Sequence, residues 1–206
     1  MTEENHLEAE WIARARQGDA EAFEQLLLRY EARVFSLALR ICGNPQDAQE
    51  AAQEAFLSAW QGLSFFRGDA SFSTWLYRLT SNACVDLLRR EGRHRSRAAC
   101  SLDDEAGTLD PPDPGPSPQK AVEQQELRQQ IQEGLQSLSL PHRQVLVLRE
   151  LHQLTYDEIA ATLDLDVGTV KSRINRARKQ LRKFFVQRGN FPGVSPSKQT
   201  ETEDRS

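Results

Sequence analysis

Residues 166–188, DVGTVKSRINRARKQLRKFFVQR, carry the strongest chemical pattern in the chain. Past Asp166 there are eight Lys or Arg and no acid, although the whole protein has a net charge of −4. At roughly 100° per residue, Val167, Val170, Ile174, Ala177 and Leu181 form one narrow stripe, while Lys171, Ser172, Asn175, Arg176 and Lys179 gather opposite. One face is built for burial and the other for an anion. Side chains of these types read base edges and hold phosphates when a helix lies in a DNA groove. The alternative is a basic helix that is merely solvated.

A reading helix needs a partner to hold it. Thr155-Tyr156-Asp157-Glu158 is a Thr-x-x-Glu capping box, and it opens a short helix with Ile159, Ala160 and Leu163. Asp164-Leu165-Asp166 is a tight turn with Asp166 as N-cap of the basic helix. Two short helices joined this way, the second basic, predict a helix-turn-helix. Lys179, Arg182 and Lys183 are then placed near phosphate, as is the helix start at Thr155. Leu140-Pro141 starts the helix that precedes this pair.

The N-terminal half is helical throughout 7–91, with no sustained alternation of the β type. Asp19 caps a helix carrying Phe23, Leu26, Leu27, Tyr30, Val34, Leu37 and Ile41, which stops at Cys42-Gly43-Asn44-Pro45. A further helix runs from about Pro45 to Leu63. On it Asp47, Glu50 and Glu54 share about a 60° arc, with Leu57 beside them and an alanine-rich face behind. This arc is either a solvated face or a docking surface for a basic partner, with Leu57 as its apolar anchor. Phe65-Phe66-Arg67-Gly68-Asp69 reads as a loop, and Ser71 or Ser73 then opens a helix through Arg90. Arg78, Asn82 and Arg89 line up on that helix, either to contact nucleic acid or as an exposed face on which Asp86 pairs with Arg89 or Arg90. The aromatics Phe65, Phe66, Trp75 and Tyr77 among these bases suit unpaired bases, which stack or enter a pocket. Part of the set, at least one of Phe65 and Phe66 included, is expected in the core.

Composition divides the chain further. Five prolines lie between Pro111 and Pro118, among Ser, Gly and Asp, and residues 100–126 hold seven acids and one Lys. Such a segment cannot bury enough apolar area to fold alone. The chain therefore reads as a helical domain over 1–91, a flexible acidic linker over 92–119, a helix-turn-helix domain over 120–188 and a disordered tail over 189–206. The fold class is all-α, with two small helical domains joined by a flexible linker. Three scattered cysteines form no CxxC, and an acidic N-terminus without an apolar run is no signal peptide. No stretch is apolar enough to insert in a membrane, so the cytoplasm is the expected location. The four histidines lie at no ligand spacing, and GxSxG, Walker A and GxGxxG are absent. The reading has no enzyme, no cofactor and no metal.

These motifs together resemble the bacterial RNA polymerase sigma factors of the sigma-70 family, in the extracytoplasmic-function (ECF) subfamily. The resemblance is carried by AFEQLLLRYEARVFSLALRI, DAQEAAQEAFLSAW, FRGDASFSTWLYRLTSNACVDLLRRE and LPHRQVLVLRELHQLTYDEIAATLDLDVGTVKSRINRARKQLR, which cover most of 21–91 and 137–183. It implies that 47–60 dock on the clamp helices of the largest subunit of core RNA polymerase. It implies that the first domain recognises and opens the promoter −10 element, with Phe66, Gly68, Asp69 and Asn82 as candidates for a pocket holding a flipped base. The second domain would read the −35 element through 167–182, and the linker would thread toward the polymerase active site. The family more often has an acid and a larger aliphatic where this chain has Gln49 and Ala52. The resemblance further implies a regulated, alternative factor held inactive by an anti-sigma protein. The competing reading is a stand-alone helix-turn-helix regulator with an N-terminal sensor or dimerisation domain.

Overall fold

The computed structural model describes residues 3–97 and 118–188, and side chains within 6–91 and 124–188. All regular structure among the described residues is helical: α1 (Glu3–Ala15), α2 (Ala20–Cys42), α3 (Pro45–Gly62), a 3-10 turn (Leu63–Phe65), α4 (Phe72–Arg97), α5 (Pro118–Gln136), α6 (Leu140–Glu150), α7 (Tyr156–Leu163) and α8 (Val167–Gln187). Helix α4 runs past residue 92, where the composition changes, and α5 begins before 120. The rest of the linker expected from composition, and the tail over 189–206, lie outside the described residues.

Short polar side chains set the helix starts. Asp19 accepts from the Ala22 N–H at 3.1 Å, Asn44 Oδ1 from Asp47 N–H at 2.8 Å, Ser71 Oγ from Thr74 N–H at 3.1 Å and Asp166 Oδ1 from Thr169 N–H at 2.7 Å. Each satisfies an amide that the helix leaves without a partner. Gly43 ends α2 at φ 100° and Asp164 ends α7 at φ 53°, both left-handed positions that stop a helix.

One core holds α1–α4 together. Leu26, Tyr30 and Val34 of α2 meet Leu63, Phe72 and Leu76. Ala48, Ala51, Ala52, Ala55 and Ala59 are all buried on α3, so its backbone approaches its neighbours closely. Phe66, Phe72 and Trp75 form a ring cluster with centroids 5.0–5.8 Å apart.

A second core crosses the boundary between the two halves. Leu37, Ala38 and Ile41 of α2 and Tyr77, Cys84 and Leu87 of α4 join Leu135, Val145, Leu148, Ile159, Val170 and Ile174 in one buried cluster. Helix α6 packs on both α2 and α8, and α7 on both α4 and α8. This accounts for the run Val145-Leu146-Val147-Leu148, whose four side chains are all buried. A helix apolar around most of its circumference is covered on more than one side.

Candidate nucleic-acid interface

Helix α8 presents the face its periodicity predicts. Val170, Ile174 and Ala177 are buried, while Lys171, Ser172, Asn175, Arg176 and Lys179 are exposed. The turn before it is held by α7, whose capping box forms in full. The exposed row is sorted further by its neighbours. Arg178 Nε and Nη2 donate to Glu150 Oε1 at 3.0 and 2.5 Å, which ties that guanidinium toward α6. The Ser172 hydroxyl donates to the Thr169 carbonyl at 2.9 Å, so it keeps lone pairs and no proton for a base. Tyr156 receives two cations on its ring, Arg149 at 5.0 Å and Lys171 at 5.9 Å. Asn175, Arg176 and Lys179 are left as the outward row.

Thr155 is the N-cap of α7, as the sequence predicts. Its hydroxyl donates to Glu158 Oε2 at 2.8 Å and accepts from the Glu158 N–H at 3.2 Å, and its own N–H donates to the same carboxylate at 2.8 Å. The Glu158 carboxylate therefore completes the cap at the start of α7.

In the first half, Phe65, Phe66, Arg67, Gly68, Asp69, Ala70, Thr74, Trp75 and Arg78 line a cleft of 440 Å³. That is the size of a small-ligand site. Its walls offer aromatic faces, two guanidinium groups, a carboxylate and a hydroxyl. Gly68, at φ 81°, lets the loop fold back over the cleft. Of the two adjacent phenylalanines, Phe66 packs on Trp75 with centroids 5.0 Å apart, while Phe65 is 82% exposed. The sequence favoured Phe66, yet the free ring is Phe65. Asn82 is exposed one turn beyond Arg78, outside the cleft lining. Arg89 is farther along α4, within 3.9 Å of Asp86, with both side chains 72% exposed.

The acidic arc on α3 separates into three situations. Asp47 is buried, and its carboxylate accepts from Asn44 Nδ2 at 2.6 Å. It completes the helix cap and does not share an exposed face with the others. Glu50 pairs with Arg90 at 3.0 Å. Glu54 is exposed beside Leu57, which is 51% exposed. Trp60, one turn on from Leu57, is also exposed and rests against Phe23 at 5.0 Å. The sequence reading passed over Trp60, although its spacing of three from Leu57 placed it on the same side.

The capped helix-turn-helix with its basic face and the aromatic, cationic cleft both have the chemistry that suits a nucleic acid. Comparison with known proteins names the class. A model of sigma-70 region 2 matches residues 26–94, and a model of sigma-70 region 4 matches 128–181. The RNA polymerase sigma-H factor of Pseudomonas aeruginosa is 36% identical over 175 residues, covering 84% of this chain and 90% of that protein. The ECF RNA polymerase sigma-E factor of Escherichia coli is 38% identical over 176 residues, covering 82% and 90%. Among solved structures, CnrH in complex with the cytosolic domain of CnrY aligns at TM-score 0.63 with 27% identity, over 88% of this chain and 98% of that one. The sigma factor RpoE in complex with the anti-sigma factor NepR from Bartonella quintana aligns at TM-score 0.66 with 22% identity, over 81% and 98%, a likeness of fold. The chain belongs to the sigma-70 family of RNA polymerase sigma factors, in its ECF group. It is an alternative sigma factor that directs promoter-specific transcription, and the stand-alone regulator is not favoured, because region 2 occupies the place of the expected sensor domain.

Among the described residues no helix is long and apolar enough to cross a membrane, and no group of three or more His, Cys, Asp or Glu is placed to hold a metal ion.

Proposed function

We propose a division of labour by residue. Residues 1–91 form the module that docks on core polymerase and handles the −10 element, and 120–188 form the module that reads the −35 element. The observation that carries this reading is the sorting of α8: its buried stripe and its tied-back Arg178 leave Asn175, Arg176 and Lys179 as an outward row. Asn175 and Arg176 have the donor patterns that read purine edges, and Lys171 and Lys179 flank them at phosphate distance along the groove. Ser172 accepts from a base or a water.

In the first module the cleft takes an unpaired base of the non-duplex strand. Phe65 supplies the stacking face, Arg67 and Arg78 hold the adjoining phosphates, and Asp69 and Thr74 read the base edge. Asn82 and Arg89 extend the track along α4. Glu54, Leu57 and Trp60 form the docking patch for the clamp helices of core polymerase, with Glu50 at its edge. The protein works in the cytoplasm as a binding factor, with no catalytic step of its own. One structural neighbour is a sigma factor in complex with an anti-sigma factor, and another, CnrH, is in complex with the cytosolic domain of CnrY; the first supports an anti-sigma protein as the regulator here.

Replacing Arg176 by Ala is expected to weaken binding to a duplex −35 element by about 1–3 kcal/mol and to relax preference at one base pair. Titration of the full chain bound to core polymerase, against duplexes differing at each −35 position, measures this. A uniform loss at every position would make Arg176 a phosphate contact and not a reader.

A further inference from the structure

One cation of α8 is neutralised on the face where its position puts it. Lys171, Asn175, Arg178 and Arg182 follow one another at spacings of four, three and four, a single column on a helix. All four are exposed. Lys171 and Asn175 belong to the outward face described above, and Arg178 continues it by one turn. Its guanidinium is already engaged: Nε and Nη2 both donate to Glu150 Oε1, at 3.0 and 2.5 Å. Glu150 is the last residue of α6. It brings a carboxylate to an edge where cations gather, since Arg149 and Lys171 lie over the Tyr156 ring at 5.0 and 5.9 Å and Arg178 is close enough to Tyr156 to interact with it. Among the described residues, Arg178 is the one Lys or Arg of 167–183 that forms an ion pair.

Stability does not account for this pair. The Arg178 side chain is 52% and that of Glu150 47% exposed, and ion pairs open to water hold a fold together weakly. Val145 and Leu148 of α6 already share a buried core with Val170 and Ile174 of α8. What the pair changes is charge. Attraction to duplex DNA grows with the number of phosphates a protein neutralises, because each releases condensed counterions. With Glu150 beside it, Arg178 adds no net charge to the column. If the guanidinium stays on Glu150, no phosphate is neutralised. If it swings to a phosphate, a bare carboxylate is left facing the same backbone. Arg149 differs, because its bond at 2.7 Å goes to the neutral Leu154 carbonyl and leaves its charge in force.

We propose that Glu150 is a negative determinant of DNA affinity: by pairing with Arg178 it cancels one cation on the backbone-facing column of α8, limits sequence-independent attraction and leaves the choice of site to Asn175 and Arg176. That α8 lies along duplex DNA is the reading given above, and this assignment rests on it. A genome offers a vast excess of competing non-target duplex, and every phosphate contact strengthens that background together with the target. Cancelling one such contact lowers the background and leaves the base contacts intact.

The test is a salt titration of the full-length chain on two labelled duplexes, over roughly 0.05–0.3 M salt. One duplex carries the −35 element common to its mapped start sites and the other is scrambled. Glu150→Gln keeps the side chain's size and an oxygen that accepts from Arg178, and removes only the charge. It should steepen the slope of log K against log salt by about 0.9, one phosphate's worth, and tighten binding about fivefold at ~0.15 M salt on both duplexes. Arg178→Gln should move both quantities the other way, and the double variant should return close to the native line. The sign separates this role from bracing: a pair that only held α8 against α6 would make Glu150→Gln bind more weakly. Thermal melts check that each variant keeps its fold. A Glu150→Gln line superimposed on the native one, whether both bind or neither does, or weaker binding by that variant, would overturn the assignment. Failure of the −35 reading looks different: the native chain would bind the two duplexes equally, while the gain from Glu150→Gln would still appear on both.

Discussion

Replacing Leu57 by Ser together with Trp60 by Ala will lower affinity for core polymerase by about 2–4 kcal/mol, roughly 30- to 900-fold, because exposed large apolar side chains at the centre of a patch dominate docking. Leu57 is 51% and Trp60 37% exposed, an unusual investment on a helix whose other face is almost wholly alanine. Glu54→Gln should act differently. An exposed carboxylate mainly sets association rate and salt sensitivity, so its loss should flatten the dependence of core binding on ionic strength while changing affinity less. A competition assay against a labelled sigma factor measures both. Trp60 also packs on Phe23, so a thermal melt of each variant separates docking from folding. Binding of the −35 duplex by the α6–α8 unit should be unchanged. Equal core affinity for native and double variant would remove this patch from the docking surface.

Acidification from pH 6.5 to 4.5 will destabilise the packed form by about 2–3 kcal/mol through one residue, His152. Burial, and secondarily the Arg33 charge, push its pKa down to about 4 from 6.5. Its Nε2 is buried without a hydrogen-bond partner in the structure, and the nearby Arg33 guanidinium opposes a second positive charge. The sign follows from proton counting. Above pH 6.5 His152 is neutral folded or unfolded and contributes no pH dependence. Below 6.5 the unfolded or separated chain binds a proton that the packed chain refuses, so stability falls with pH until about 4, where the packed form is protonated too. Urea denaturation of native protein and of His152→Phe, at pH steps between 7 and 4.5, measures this. The variant should lose the added slope between 6.5 and 4.5 while keeping the slope due to carboxylates. Parallel slopes would show that His152 is solvated in the folded protein and does not set this pH dependence.

Much of the architecture is legible locally. Asp19, Thr155 and Asp166 announce their caps by residue type and by the apolar period that follows each, and Gly43 announces a stop. The outward row of α8 follows from its period alone. What the sequence could not display is which of several possible contacts each side chain makes. Asp47 lies on the same arc as Glu50 and Glu54, and only the side chain of Asn44, folded back on the first turn of α3, shows why it is buried. The identity of the free ring, Phe65 over Phe66, is decided by a 3-10 turn at Leu63–Phe65, since one residue of twist exchanges inside for outside. The packing of α6 on α2 has no periodicity at all. Its nearest sequence sign is the fully apolar Val145–Leu148 run, which a helix covered only by α7 and α8 does not need. Arg143, at the solvent edge of a short amphipathic helix in any local reading, is drawn into the core by the carbonyls of Leu135, Leu138 and Ile41.

The central claim is that one chain redirects polymerase by offering a duplex-reading helix and a single-strand cleft together. Mapping transcript 5′ ends from core polymerase on a random-sequence promoter library, with and without the protein, tests it most directly. The account predicts a new set of start sites in the presence of the protein, sharing two short elements at a fixed spacing upstream, with Arg176→Ala altering the distal element and Phe65→Ala weakening use of the proximal one. Start sites identical to those of core polymerase alone, or a single shared element untouched by either variant, would contradict it.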